Sequence, residues 1–132
     1  LLIIFEFSGG IMSFFYSEVD LSEAARAISS ALMKSEKVLL KVKEGSPQFR
    51  MTAENIRAFQ IALALIRREQ GARDMFVFGN EELASAQAAF ASMTARVEKV
   101  LPKFAAGTPQ HTLAVRRIRA FEIAACLLQA ER

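Results

Sequence analysis

Histidine, cysteine and paired carboxylates are the residues that could do chemistry here, and the chain has few of the first two. His111 is its only histidine and Cys126 its only cysteine. A metal site wants several ligands at helical or loop spacing, and a nucleophilic system wants a base beside the nucleophile. His111 has no such companions and stands just after Thr108-Pro109, where a helix start is expected. Cys126 lies within Ala-Ala-Cys-Leu-Leu with no basic residue one helical turn away, so it reads as a small apolar group rather than an activated thiolate. Glu18, Asp20 and Glu23, like Glu81 and Glu82, fall at expected helix starts, where negative charge complements the helix dipole. The sequence has no glycine-rich phosphate loop, no HExxH and no Glu-x-x-His pair. These residues argue for a non-enzymatic protein without metal or cofactor.

The polar residues with the most to say are arginines. Arg57 and Arg119 each sit in Ile-Arg-Ala-Phe, and Glu36 and Glu98 each open Glu-Lys-Val-Leu. Counting outward from the turns between them puts Glu36 level with Arg57 and Glu98 level with Arg119, so cross-helix ion pairs are expected that would fix hairpin register. The alternative is that Arg57 and Arg119 approach each other across a pseudo-twofold axis and hold an anionic ligand. A third reading takes Arg67-Arg68 with Arg116-Arg117-x-Arg119 as a basic face for nucleic acid. No recognisable nucleic-acid module accompanies these arginines, and the phenylalanines fall at core spacing rather than on a stacking platform.

The elements that must position these residues follow from an internal repeat. At an offset of 62, residues 13–70 align with residues 75–132 without a gap, about 21 of about 58 positions being identical. Gly45-Ser46-Pro47-Gln48 matches Gly107-Thr108-Pro109-Gln110, and Phe14-Phe15-Tyr16-Ser17 matches Phe76-Val77-Phe78-Gly79 in kind. Each unit reads as an aromatic arm, a long helix, a tight turn and a second long helix. In the first helix of the second unit Leu83, Phe90, Val97 and Phe104 recur every seven residues, with Ala86, Met93 and Val100 three places on. That is an apolar seam. Leu21, Ile28, Ser35 and Val42 with Ala24, Ala31 and Val38 repeat it. Glycine ends one helix in the left-handed conformation, Ser46 or Thr108 caps the next, and proline suits its first turn. Pro102, where the first unit has Leu40, is expected to kink or shorten the third helix.

The expectation is a mainly all-α fold, a four-helix bundle of two tandem αα-hairpins in one domain. Ala62, Ala64, Ala124 and Ala125 leave open either close helix packing or a cavity between the hairpins. The second helix of each unit carries an apolar arc of roughly 200°, wider than a surface helix needs, so it is either central or covered by a partner. The arms form either a small strand pair with a turn at Ser8-Gly9-Gly10 or extended segments over the bundle end. Residues 1–12 are read as separable, the first methionine being Met12.

Apolar residues make up 52% of the chain and charged ones 23%, and the formal charge is +3. The apolar surplus suggests a homodimer interface, the lone cysteine suggests a reducing cytoplasm, and no segment reads as a membrane span. The preferred reading is an interaction or oligomerisation module, and the runner-up is a small-molecule binder or enzyme with a pocket between the repeats.

Overall fold

The computed structural model describes residues 2–7, 10–73 and 76–132. Among these residues four α-helices form a bundle: α1 (Glu18–Leu39), α2 (Pro47–Glu69), α3 (Asn80–Val100) and α4 (Pro109–Glu131). Two strands precede them, β1 (Leu2–Phe7) and β2 (Gly10–Phe15), antiparallel with Leu2 opposite Phe15 and Phe7 opposite Gly10. Strand β1 lies against α4. The turn expected at Ser8-Gly9, and Met75 at the start of the second aligned segment, lie outside the described residues.

The helices alternate up and down, so the α1–α2 and α3–α4 turns share one end of the bundle, called here the turn end. Both turns have the expected grammar. Gly45 and Gly107 adopt φ of 83° and 85°, a region that side chains disfavour. Ser46 Oγ then accepts the Phe49 N–H at 3.1 Å and Thr108 Oγ1 the His111 N–H at 3.3 Å, with Pro47 and Pro109 in the first helical turn. Pro102 acts as a terminator, because it has no N–H for the helical ladder. Helix α3 stops at Val100 and tightens into a 3-10 turn over Leu101–Lys103.

Helix α1 packs on α2 and α4, α3 packs on the same two helices, and α2 and α4 also touch across the diagonal. This contact accounts for the broad apolar arcs. Ala58, Phe59, Ile61, Ala62, Leu63, Leu65 and Ile66 are all buried on α2, and Ala120, Phe121, Ile123, Ala124, Leu127 and Leu128 on α4. That part of the apolar surplus is used within the chain. The centre is solid: the Phe59 and Phe121 rings stack at 6.1 Å, and Phe90 meets them edge-on at 5.7 and 5.4 Å. Such ring pairs add roughly 0.5–1.5 kcal/mol each beyond burial. Ala62 and Ala124 are fully buried in the same core, whereas Ala64 and Ala125 are half-buried.

The two seams behave as expected only over their first eleven residues. Leu21, Ala24, Ile28 and Ala31 are buried on α1, and Leu83, Ala86, Phe90 and Met93 on α3. Beyond them Ser35 and Val97 are half-buried, and Val38 and Val100 are exposed. The bundle therefore opens toward its turn end. No helix of the described residues is long and apolar enough to cross a membrane.

Candidate functional site

Arg57 and Arg119 make ion pairs, but not the expected ones. Arg57 on α2 donates from Nε and Nη2 to Glu82 Oε1 on α3, at 3.2 and 2.6 Å, and its guanidinium lies 5.8 Å from the centre of the Phe78 ring. Arg119 on α4 has Nη2 3.9 Å from Asp20 Oδ2 on α1 and lies 5.1 Å from the centre of the Tyr16 ring. Asp20 and Glu82 are 62 positions apart, as are Tyr16 and Phe78. Each arginine thus crosses to the helix start of the other half. Glu36 and Glu98 are exposed and take part in none of the ion pairs found among the described residues. Azimuth explains this: each glutamate lies five residues past the last buried seam position, Ala31 or Met93, which turns it about 140° from the core.

These contacts also set the electrostatics of the two helix starts. The Ser17 N–H donates to Asp20 Oδ2 at 2.9 Å while the Asp20 N–H donates to Ser17 Oγ at 3.1 Å, a capping box. The bonds from Ser17, and then the charge of Arg119, hold the Asp20 carboxyl below its usual range. The hydrogen bond from Arg57 does the same for Glu82. Both ion pairs are half-exposed, and such pairs contribute little net stability. Arg57 thus pairs across the α2–α3 contact and Arg119 across the α1–α4 contact.

The basic face expected for nucleic acid is divided as well. Counted from the matching helix starts Pro47 and Pro109, Arg67 and Arg116 stand roughly 20 Å apart along the bundle. Arg68 is held by Glu131 and lies over the Phe76 ring. Cys126 is buried, and the buried Tyr16 is among the groups that act on it. Burial pushes both groups above their ordinary values, which keeps the thiol protonated. His111 lies in the first turn of α4, and no group of three or more His, Cys, Asp or Glu residues that could hold a metal is found among the described residues.

Several open grooves score the described surface, four of which are lined as follows. Glu18 and Glu69 line one, with Tyr16, and Glu54, Glu81 and Glu82 line another, with Arg57. Glu98 and Glu122 line a third, on α3 and α4. The fourth, of about 270 Å³, opens at the turn end and draws on all four helices: Ala31, Lys34 and Ser35 from α1, Asn55 and Phe59 from α2, Met93, Arg96 and Val97 from α3, Arg117 and Phe121 from α4. These are five pairs of positions 62 apart. It contains three cationic side chains and no carboxylate. The sequence pattern placed Arg117 on the basic face and did not single out Lys34 or Arg96. The available signal was that Lys34 and Arg96 match at the 62-residue offset and immediately precede the seam positions Ser35 and Val97.

Set against protein-family models, curated proteins and solved structures, the chain matches none of them.

Proposed function

We propose that the chain is a duplicated helical hairpin that works as a non-enzymatic interaction module and self-associates as a homodimer through the outer face of α1. The observation that carries this reading is a row of apolar residues facing solvent. Val19, Met33 and Leu40 are exposed to 65%, 59% and 88% and, with Arg26, fall every seven residues from the start of α1 to its C-cap, Leu40. The matching row on α3 is Glu81, Ala88, Ala95 and Pro102. Large apolar side chains aligned on one side of a helix and open to water favour burial against a partner. Helix α1 also has Glu18, Asp20 and Glu23 at one end and, toward the other, Lys34 and Lys37 with Glu36 between them and Lys41 just beyond, a net positive end. An antiparallel pairing of two copies brings the acidic end of each beside the basic end of the other, a self-complementary twofold interface.

The duplication is supported by the swapped contacts of Arg57 and Arg119 and by the matched glycine turns. A cytoplasmic setting belongs to the same reading, on the protonated, unpaired Cys126. Native mass spectrometry or light scattering at high micromolar concentration tests the dimer. The expected result is a dimer that becomes monomeric in the double variant Met33→Glu, Leu40→Glu while helical content is kept. A monomeric wild-type chain removes the self-association reading.

A further inference from the structure

We propose that the turn-end cleft binds one small organic anion, with an oxyanion head on Lys34, Arg96 and Arg117 and a compact apolar body on the Phe59 and Phe121 rings. The cleft shares only Lys34 with the charged ends invoked for dimerisation, and Arg96 on α3 and Arg117 on α4 test it independently of the dimer.

Three independent features point to an anion. The first is charge: three other open grooves each have at least two carboxylates in their walls, whereas this one gathers Lys34, Arg96 and Arg117 with none. None of these three takes part in an ion pair among the described residues, while Arg57, Arg68 and Arg119 each do. Like charges brought together at the mouth of an apolar cleft oppose one another, and an anion between them relieves that repulsion.

The second feature is a donor without an acceptor. The Arg117 Nε is buried and has no hydrogen-bond partner among the described residues. Burying a guanidinium N–H unpaired is costly, and a carboxylate or phosphate oxygen is the acceptor that matches its planar fork. Arg96 is already oriented, because its Nη2 donates to Ser92 Oγ at 2.9 Å and approaches Met51 Sδ at 3.2 Å. Its remaining N–H groups stay available to a ligand.

The third feature is the floor. Phe59 and Phe121 are buried and stacked, and Ala31, Met93 and Val97 continue the apolar wall. Such a floor gives nothing to a bare inorganic ion but accepts the ring or short chain of an organic one. A volume of about 270 Å³ lies below the usual span for drug-sized ligands and fits a molecule of about one ring plus its charged group. The cleft is also where the two halves differ: Asn55 faces Arg117 and Ser35 faces Val97 at the 62-residue offset, so both guanidinium groups come from the second half.

Calorimetric and NMR titration of the full chain with phenyl phosphate, benzoate, inorganic phosphate and phenol tests the proposal. The expected result is a single saturable site for phenyl phosphate or benzoate, with at least about tenfold weaker binding of inorganic phosphate and of phenol. Arg117→Gln and Arg96→Gln should each weaken it by about tenfold, whereas Arg116→Gln, an exposed neighbour of Arg117, should leave it unchanged. If Arg117→Gln fails to fold, Arg96→Gln and Lys34→Gln read the same site. Absence of saturable binding of both aromatic anions up to millimolar concentration overturns the proposal, as does binding that Arg96→Gln and Lys34→Gln leave unchanged.

Discussion

The first half of the chain opens its long helix with a capping box and the second half with a bare glycine, yet both helices bury the same four seam positions. Ser17 and Asp20 exchange two hydrogen bonds at the start of α1, whereas Gly79 caps α3 with no side-chain bond. At the centre the asymmetry reverses, Ile28 on α1 standing where α3 has Phe90, and both are fully buried. The identical pairs Arg57/Arg119, Phe59/Phe121, Ile61/Ile123 and Ala62/Ala124 lie where one half meets the other. Matched positions hold the halves together. The unmatched ones, the outer row of α1 and the turn-end cleft, are where the halves present different chemistry to solvent.

The core difference should give the largest effect. Phe90 joins two ring contacts that Ile28 does not make, so Phe90→Ala should cost about 4 kcal/mol and exceed Ile28→Ala, on the order of 3 kcal/mol, in urea unfolding. Equal losses would mean that the three rings pack as ordinary apolar volume.

How much of this was legible follows from what each feature depends on. The hairpin turns were readable because Gly-Ser-Pro and Gly-Thr-Pro encode a left-handed residue, a cap and a first-turn proline within three positions. The seams were readable as far as Ala31 and Met93, where local periodicity and burial agree. Past that point the bundle opens, and no local pattern says so. The partners of Arg57 and Arg119 were missed because a count along two helices gives height but not the direction in which a side chain leaves the axis. The capping box at Ser17 was visible as a serine followed three residues later by an acid, although Asp20 was read only as a dipole partner.

The caps come next in size. Ser17→Ala should cost about 1 kcal/mol, while Gly79→Ser should gain a few tenths. Gly79 has φ of −69° and nothing within 4 Å of the place its side chain would occupy, so the new hydroxyl meets no strain. Thermal melts of the two single variants measure both. The same cap gives the chain an acid-sensitive element. The Asp20 carboxyl is held low in the folded protein, so its contribution is present above the ordinary aspartate range and is lost as pH falls through the lowered value. Asp20→Asn should remove that part of the acid slope from melts recorded between about pH 5 and pH 2.

The smallest effects belong to the crossed arginines, and they distinguish the halves most finely. Arg57 places two nitrogens on one Glu82 oxygen, at 2.6 and 3.2 Å, whereas Arg119 stands 3.9 Å from an Asp20 already engaged by Ser17. Direct hydrogen bonding should therefore separate two pairs that occupy matched places. A double-mutant cycle of Arg57→Ala with Glu82→Ala should give a small stabilising coupling, and one of Arg119→Ala with Asp20→Asn should give close to none. Both arginines also rest on aromatic rings, so each single arginine variant should cost somewhat more than its coupling energy. Equal couplings would mean that solvent and salt level the two geometries, and that the crossed contacts orient the halves without contributing unequally to their stability.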